Sequence, residues 1–269
     1  MTDFWTTVFD FTQATTARVG TQLLQFGQVQ AEQKTDGSLV TQADKWADRE
    51  IQEAIAATFP SHGIISEESG HIFPGTEWCW VIDPLDGTTN FTHQIPIWAI
   101  SVGLLYQGTP VFGYVYLPPL AQVFHGYWYG DTGLSGPIGA FLNHRPIHTS
   151  INSPSQNQFF SLCSRSLSIL KPGFPCKTRM LGATSYNFLT VAAGSTLGGV
   201  EATPKIWDIA AVWVIVRSAG GVWVSLHPDP VFPLSEGKDY GDRSYPTLVV
   251  GQPELVPVFQ PLMQSIRPS

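Results

Sequence analysis

The sequence predicts a layered α/β protein in which helices cover mixed β-sheets. Three observations support this fold class. Residues 42–59 place apolar side chains on one helical face, and Pro60 follows them. Residues 97–128 contain three strand-like segments separated by turns, which predict an antiparallel meander. Beyond residue 158, short apolar strands alternate with helical segments, as expected for a mixed sheet covered by helices.

The predicted elements fall into two halves. The first half contains two helices and five strands, at residues 4–26 and 42–59 for the helices and 62–66, 77–82, 97–106, 111–117 and 122–128 for the strands. The stretch GDTGLSGPIG and the loop at 152–158 then separate the halves. The second half contains strands at 159–163, 177–181, 197–201, 221–226 and 246–250 and helices at 185–193, 207–219 and 253–265. We therefore expect an N-terminal half, 1–150, and a C-terminal half, 151–269, packed as one unit.

The composition argues against two classes of function. The chain of 269 residues has a net charge of −7 with only 14 Lys and Arg residues, whereas nucleic-acid backbones are bound by clusters of such residues. No apolar run approaches the length of a membrane span, and MTDFWTTVFDFTQ at the N-terminus has an acidic residue where a secretory signal carries basic ones. The three cysteines follow no Cys-x-x-Cys spacing, which indicates reduced thiols. We therefore expect a cytoplasmic protein that binds neither nucleic acid nor a membrane.

The stretch WCWVIDPLDGTTNF at residues 78–91 predicts a buried strand that ends in two carboxylates. Asp83 would lie at the carboxyl edge of the sheet, where layered α/β proteins bind ligands, and Asp86 follows it. Gly87 and Thr88 then open a short helix whose free N–H groups favour an anion. Two carboxylates would repel a phosphate unless divalent cations lay between them, and magnesium is the hard ion that uses both kinds of oxygen. An Asp-Gly turn with a helix N-cap explains the same residues without a ligand.

Three further acidic positions could join this site. Glu67 follows a short apolar strand, so it reaches the same sheet edge as Asp83 if the two strands are neighbours; a solvated acidic loop is the alternative. Asp208 opens an apolar helix, where it could bind a metal or only complement the helix dipole. Asp44 is placed to form a capping box with Thr41, and its carboxylate could also face a site.

These elements together carry a resemblance to a known family. The four principal motifs are KTDGSLVTQAD at 34–44, ISEES at 65–69, WVIDPLDGTTNF at 80–91 and WDIAA at 207–211. With GAFLNHRPI at 139–147 and LGATSYNFLTVAAGS at 181–195, the sequence resembles the inositol monophosphatase family over nearly its whole length. The resemblance implies an αβαβα five-layer sandwich and a magnesium-dependent, lithium-sensitive phosphatase of small phosphate esters. Many members of the family are homodimers, so a homodimer is expected here.

The resemblance also implies site residues by position. The implied metal ligands are Glu67, Asp83, the backbone carbonyl of Leu85, Asp86 and Asp208. The implied catalytic residues are Glu67 and Thr88, which would position the attacking water, and Asp44, which would support Thr88. The implied substrate contacts are Asp86, Gly87, Thr88, Gly182, Ala183, Glu201 and Asp208.

The implied reaction is hydrolysis of a phosphate monoester by a metal-activated water, without a covalent intermediate. Inositol 1-phosphate is the default substrate, and fructose 1,6-bisphosphate, histidinol phosphate and 3′-phosphoadenosine 5′-phosphate are alternatives. The segment GGVEATPKIWDIAA and residues 126–138 depart from the family pattern, which leaves the substrate open. Two other functions compete. LDGT at 85–88 is similar to the haloacid-dehalogenase signature, although the aspartates here are three positions apart instead of two. A phosphate-binding module that has lost its chemistry is the non-enzymatic alternative.

Overall fold

The computed structural model describes residues 2–27, 30–34 and 39–263. Its α-helices are α1 (Thr2–Leu23), α2 (Gln42–Thr58), α3 (Thr88–Thr92), α4 (Thr184–Ala192), α5 (Ile206–Ser218) and α6 (Val256–Phe259). Its strands are β1 (Ala31–Gln33), β2 (Leu39–Thr41), β3 (Gly63–Ser66), β4 (Trp78–Asp86), β5 (Ala99–Tyr106), β6 (Thr109–Leu117), β7 (Gln122–Tyr127), β8 (Gly139–Leu142), β9 (Arg145–Pro146), β10 (Phe159–Leu162), β11 (Lys177–Arg179), β12 (Gly198–Glu201), β13 (Val222–Ser225) and β14 (Thr247–Val250). Short 3₁₀ helices span Pro118–Leu120, Ser164–Ile169, Pro253–Leu255 and Gln260–Leu262.

Two large sheets organise the described part of the chain. The seven-stranded sheet has the order β3-β4-β5-β6-β7-β8-β9, in which β3 and β4 are parallel and the remaining pairs are antiparallel. The five-stranded sheet has the order β11-β10-β12-β14-β13, in which β10 runs parallel to both of its neighbours. The strands β1 and β2 form a separate antiparallel pair.

Three hydrophobic clusters join the elements into five layers. One cluster packs α1 and α2 against one face of the seven-stranded sheet, with Trp80 fully buried in it. A second cluster packs the opposite face of that sheet against α4 and α5, and it reaches Val249 of the five-stranded sheet. A third packs the outer face of the five-stranded sheet against Leu255, Phe259 and Met263. The order of layers is therefore helix, sheet, helix, sheet, helix, which confirms the predicted α/β sandwich.

The helix α5 lies unusually close to the seven-stranded sheet because a glycine of that sheet faces it. A Cβ atom built on Gly113 would lie 2.1 Å from the carbonyl oxygen of Ala211, so any side chain at residue 113 would displace the helix. The nine buried residues of α5 include Ile209, Ala210 and Val212, which explains why its sequence is apolar on nearly every side. Close packing of α5 fixes the position of its first turn, where Asp208 lies.

The predicted elements agree with the structure except at the C-terminus and in several short strands. The meander at 97–128 is confirmed as β5, β6 and β7. The strand predicted at 77–82 extends through both aspartates to Asp86, and β1, β2, β8 and β9 were not predicted. The helix predicted at 253–265 is confirmed in part: residues 253–262 are helical throughout, but two 3₁₀ turns flank the four-residue α6 in place of one regular α-helix. The physical reason is that Pro253, Pro257 and Pro261 each remove a backbone donor; residues 264 and 265 lie outside the described ones.

Two further predictions bear on the chain as a whole. No helix within residues 2–27, 30–34 and 39–263 combines the length and the apolar character needed to cross a bilayer. The division of the chain at residue 150 stays a prediction, and α5 from the C-terminal half packs on the sheet of the N-terminal half. Residues 35–38 of the motif KTDGSLVTQAD lie outside the described residues.

Candidate active site

Parallel pairing of β3 and β4 brings the first two acidic segments together. Ser66 is paired with Ile82, and the amide of Glu67 donates to the carbonyl of Ile82 at 3.2 Å. Glu67 therefore follows its strand at the same sheet edge as Asp83. The sequence left open whether these two strands are neighbours, and the structure shows that they are.

A β-bulge separates the two aspartates of β4. Asp83 is paired with Ser101 and Asp86 with Ala99, so three steps along β4 oppose two steps along β5. The amide of Leu85 donates to Oδ1 of Asp83 at 3.0 Å, which holds the bulge closed. Bulges re-aim side chains next to functional sites. Here the bulge lets both carboxylates face the same cavity, which a regular strand with two-residue alternation would place on opposite faces.

Asp83, Asp86 and Asp208 form a compact group, which we call the aspartate triad. One carboxylate oxygen from each lies within 4.8 Å of the other two. Asp208 reaches the group from the first turn of α5, where its Oδ2 also accepts a hydrogen bond from the amide of Lys205 at 2.6 Å. Within the described ranges none of the three takes part in an ion pair. Three hard oxygen donors without a protein cation fit a divalent metal ion such as magnesium.

The triad is electrostatically strained without a cation. Burial raises the pKa of Asp83 well above its ordinary value, and the neighbouring Glu67, Asp86 and Asp208 raise it further. Burial also raises the pKa of Asp208 well above its ordinary value, followed by the effect of Asp86. For Asp86, burial raises the pKa although hydrogen bonds from Ser185 and the Thr184 amide oppose it. Protons or metal ions must therefore offset these charges.

Glu67 lies beside the triad and belongs to a second charged group, which we call the Lys34 cluster (Lys34, Glu67 and Glu68). The ammonium of Lys34 lies 2.8 Å from Oε1 of Glu67 and 2.6 Å from Oε1 of Glu68. The carboxyl group of Glu67 also lies close enough to that of Asp83 to share a proton with it. Burial raises the pKa of Glu67, and the charge of Lys34 opposes that rise. Lys34 was not predicted as a site residue, although it is the first residue of a motif that carried the family resemblance.

Asp44 serves the first turn of α2 and the site at once. Its Oδ2 accepts from the amide of Thr41 at 2.7 Å, and the Thr41 hydroxyl caps α2 in return, which confirms the predicted capping box. Its other oxygen, Oδ1, accepts from the Thr88 hydroxyl at 3.0 Å. The same hydroxyl lies 3.1 Å from the carbonyl oxygen of Leu85. The structure thus joins Asp44 to Thr88, the pairing that the resemblance implied.

Gly87 begins the turn that leads into α3. Its φ of 93° is in the left-handed region, and a Cβ atom there would lie 3.1 Å from the Ile97 carbonyl and 3.2 Å from the Ala183 side chain. The side-chain amide of Asn90 donates to the carbonyls of Ile97 and Leu181, at 2.8 Å and 2.7 Å. The turn after β4 is therefore tied directly to the segment that contains Gly182 and Ala183.

Glu201, the remaining predicted substrate contact, ends β12. Its side chain is buried and accepts a hydrogen bond from the Asn187 amide at 2.6 Å. Burial raises the pKa of Glu201 well above its ordinary value, and the neighbouring thiol of Cys163 raises it further. All three cysteines are free thiols, and Cys163 is the one that lines the cavity.

One open cavity of about 810 Å³ collects these side chains. Every predicted site residue except Asp44 lines it, namely Glu67, Asp83, Leu85, Asp86, Gly87, Thr88, Gly182, Ala183, Glu201 and Asp208. Asp44 lies behind Thr88, and the sequence prediction had given it that supporting position. Basic residues that were not predicted also line the cavity, namely Lys34, His71, Arg165 and Lys205. The cavity is thus lined by both acidic and basic side chains.

Comparison with known proteins identifies the family. The sequence model of the inositol monophosphatase family matches residues 6–249 of this chain. This chain belongs to the inositol monophosphatase family. The inositol-1-monophosphatase of Synechocystis is 36% identical over 214 residues, which cover 75% of this chain and 71% of that protein. The fructose-1,6-bisphosphatase/inositol-1-monophosphatase of Aquifex aeolicus is also 36% identical, over 77% of this chain and 81% of that protein.

Solved structures agree with this assignment. The inositol monophosphatase of Thermotoga maritima has a TM-score of 0.78 and 28% sequence identity, covering 94% of this chain and 97% of that one. As a member of the inositol monophosphatase family, the chain is a phosphatase of the phosphoric monoester hydrolase class. The family is metal-dependent, and the aspartate triad is a group that could hold the metal. The roles of the individual site residues stay predictions.

Proposed function

We propose that this inositol monophosphatase family member hydrolyses the phosphate monoester of a small polyol or sugar, with inositol 1-phosphate as the first candidate. The observation that carries the proposal is the aspartate triad, whose carboxylate oxygens lie within 4.8 Å of one another and form no ion pair among the described residues. The names of the relatives from Synechocystis and Aquifex aeolicus support the choice of substrate. A second candidate is fructose 1,6-bisphosphate, which the name of the Aquifex aeolicus relative favours.

Magnesium is the proposed cofactor because every donor at the site is a hard oxygen. We assign Asp83, Asp86, Asp208, Glu67 and the carbonyl of Leu85 as its ligands. Bound there, magnesium would lower the pKa of a water and offset charge on the leaving oxygen. The carboxylates of the triad hold their place without it, because Asp83 accepts from the Leu85 amide and Asp208 accepts from the Lys205 amide.

The attacking water would be oriented by Thr88 and Glu67. The Thr88 hydroxyl has one proton, and the carboxylate of Asp44 at 3.0 Å is a stronger acceptor for it than the Leu85 carbonyl at 3.1 Å. With its proton directed to Asp44, the hydroxyl oxygen can accept a hydrogen bond from a water in the cavity. Glu67 also lines the cavity, and its Oε2, which Lys34 does not contact, could accept a second hydrogen bond from that water.

The phosphate oxygens would bind to the amides of Gly87 and Thr88. These two residues begin the turn into α3, and both line the cavity. Backbone N–H groups held rigidly in this way stabilise the charge that spreads over the equatorial oxygens during phosphoryl transfer. Gly182, Ala183 and Glu201 would contact the alcohol part of the substrate, and a buried carboxylate such as Glu201 accepts from hydroxyl or amine groups.

The test is a phosphate-release assay with inositol 1-phosphate, fructose 1,6-bisphosphate, histidinol phosphate and 3′-phosphoadenosine 5′-phosphate. Each compound is assayed with magnesium and with chelator, and lithium is added to the active reactions. We expect magnesium-dependent release that is greatest for inositol 1-phosphate and inhibited by lithium. Release from none of the four would count against the proposal and favour a binding module. A phospho-aspartate trapped on Asp83 would instead favour the covalent haloacid-dehalogenase mechanism.

Three related predictions accompany this function. We expect the enzyme to be a homodimer, which light scattering of the purified protein checks. We also expect it to lie in the cytoplasm and to bind no nucleic acid. The expectation about nucleic acid rests on the net charge, and a mobility-shift assay at physiological salt checks it. The expectation about the cytoplasm rests on the cysteine spacing, the N-terminal residues and the lack of an apolar run of membrane length, and cell fractionation checks it.

A further inference from the structure

Asp86 is held in place by the first turn of α4, a helix that lies 98 residues further along the chain. Its Oδ1 accepts a hydrogen bond from the amide of Thr184 at 3.0 Å. Its Oδ2 accepts from the amide of Ser185 at 2.7 Å, and the hydroxyl of Ser185 donates to the same oxygen. Ser185 is fully buried. These contacts were not predicted, because nothing in the local sequence links residues 86 and 185.

Asp86 takes the place of a local helix cap. The N-cap residue of α4 is Ala183, which has no side-chain acceptor for the first amides of the helix. Asp86 supplies that acceptor from β4, so a single carboxylate caps α4 and belongs to the aspartate triad. The amides would make these contacts with any residue at position 185. The hydroxyl of Ser185 is therefore an addition that capping alone does not require.

A count of lone pairs shows what the hydroxyl adds. Each oxygen of a carboxylate accepts about two hydrogen bonds or metal bonds. Oδ2 of Asp86 already has two donors, the amide and the hydroxyl of Ser185, whereas Oδ1 has one, the amide of Thr184. The remaining open direction therefore belongs to Oδ1. Asp86 would therefore offer Oδ1 to a cation in the triad.

We propose that Ser185 is a positioning residue for the metal site: its hydroxyl saturates Oδ2 of Asp86 and so presents Oδ1 to the ion shared with Asp83 and Asp208. The inference rests on the magnesium site of the proposed function. Groups that orient metal ligands typically change metal affinity by about 10- to 100-fold when they are removed. Without the hydroxyl, the Asp86 carboxylate can rotate and share its two oxygens between the helix and the ion.

The experiment measures magnesium binding to the metal-stripped full chain by titration calorimetry, without substrate. We expect Ser185→Ala to raise the dissociation constant for magnesium by about 10- to 100-fold. Ser185→Cys keeps a weak donor of similar size and should give an intermediate value. In turnover assays, Ser185→Ala should need more magnesium for half-maximal rate, and it should recover most of the wild-type kcat at saturating magnesium.

The matched control is Ser161→Ala. Ser161 is also fully buried, and its hydroxyl donates to the Asn187 carbonyl of α4 at 2.8 Å without touching Asp86. This variant should lose comparable stability and keep wild-type magnesium affinity. If Ser185→Ala binds magnesium within twofold of wild type, the inference is overturned and Ser185 only caps the helix. Should the alanine variant not fold, the same criterion applies to Ser185→Cys. A wild-type protein that binds magnesium but hydrolyses none of the esters would instead overturn the proposed function.

Discussion

The aspartate triad and the Lys34 cluster lie side by side at one sheet edge, yet they treat their charge differently. In the Lys34 cluster, two glutamates share an ammonium group at 2.8 Å and 2.6 Å. In the triad, three carboxylates approach within 4.8 Å, and none has a cationic partner among the described residues. One group carries its own counter-charge, whereas the other needs protons or ions from the solvent. The difference marks the triad as the part of the acidic cavity that could hold an exchangeable cation.

Glu67 connects the two groups. Its carboxylate accepts from Lys34 and lies beside Asp83 of the triad, so it could pair either with the ammonium or with an ion held by the triad. A buried carboxylate that loses an ammonium must gain another positive charge, because an unpaired buried charge is strongly unfavourable. We therefore expect metal binding to compete with Lys34 for Glu67.

The largest effect is expected from replacing Asp83 of the aspartate triad. Asp83→Asn keeps the size of the side chain and removes one ligand charge, so turnover should fall by at least about 10³-fold, equivalent to about 4 kcal/mol of transition-state stabilisation. Magnesium affinity should fall with it. Because repulsion between buried carboxylates is relieved, the free energy of unfolding of the metal-free variant should equal or exceed that of wild type. Steady-state kinetics, calorimetry and denaturant unfolding check the three outcomes.

Asp229→Asn is the control for that substitution. Asp229 is exposed, pairs with Arg243 and does not line the cavity. The same change of acid to amide should leave turnover and magnesium affinity at wild-type values there. An Asp83→Asn enzyme with more than a tenth of wild-type activity would contradict the central place given to the triad.

The next effect concerns pH. Burial raises the pKa values of Asp83 and Asp208, and burial with the charge of Glu67 raises the pKa of Glu68 to about 7. Since these folded-state values exceed the unfolded ones near 4, the metal-free protein binds more protons when folded, and stability present at low pH is lost as pH rises. We expect the free energy of unfolding in chelator to fall between about pH 4.5 and pH 7, with Glu68 alone contributing about 1–2 kcal/mol after solvent screening.

Magnesium should reverse much of that loss. An ion that binds only the folded state at 100 times its dissociation constant adds about 2.7 kcal/mol. Denaturant unfolding at pH 5 and pH 8, with magnesium and with chelator, checks the prediction. If the free energy of unfolding in chelator instead rose steadily from pH 5 to pH 8, the triad would not hold protons in place of ions.

The sequence predicted the members of the triad but not Lys34 and Ser185, which contact the site residues, and the reason is physical. Asp83 and Asp86 are neighbours in one motif, and Glu67 follows a strand whose parallel pairing to β4 could be expected. Asp208 was assigned only through the family resemblance, since nothing local places the first turn of α5 beside β4. Lys34 and Ser185 contribute through contacts that span 33 and 99 residues, and no local pattern encodes such contacts.

The fold shows the same division between local and long-range information. Amphipathic periodicity predicted α2, which buries one face, and apolar runs separated by turns predicted the meander, whose strands β5 and β6 are buried along nearly their whole length. The segment after residue 252 was predicted as one helix from the alternation of strands and helices, and its three prolines divide the helical residues into 3₁₀ and α turns. Short strands such as β9 depend on pairing with β8, and a two-residue segment carries no periodicity of its own.

A smaller effect is expected from opening the Lys34 cluster. Lys34→Met removes the shared ammonium and leaves Glu67 and Glu68 without their partner, so the free energy of unfolding in chelator at pH 8 should fall by about 1–3 kcal/mol. Because Glu67 is then free to bind an ion, the stabilisation produced by magnesium should be larger than in wild type. Denaturant unfolding with and without magnesium measures both quantities. A variant with wild-type stability and a wild-type response to magnesium would mean that the cluster does not compete with the metal.

The smallest effect is expected at an ion pair that resembles the Lys34 cluster in distance but not in burial. Lys45 lies 2.9 Å from Glu32, and the two side chains are 55% and 74% exposed. Water solvates both charges there, so Lys45→Met should change the free energy of unfolding by no more than about 1 kcal/mol. The response to magnesium should match that of wild type, because neither residue lines the cavity. Lys45→Met could instead alter the stabilisation by magnesium as much as Lys34→Met does. In that case the loss of any nearby lysine would explain both results, and burial beside the triad would not distinguish the Lys34 cluster.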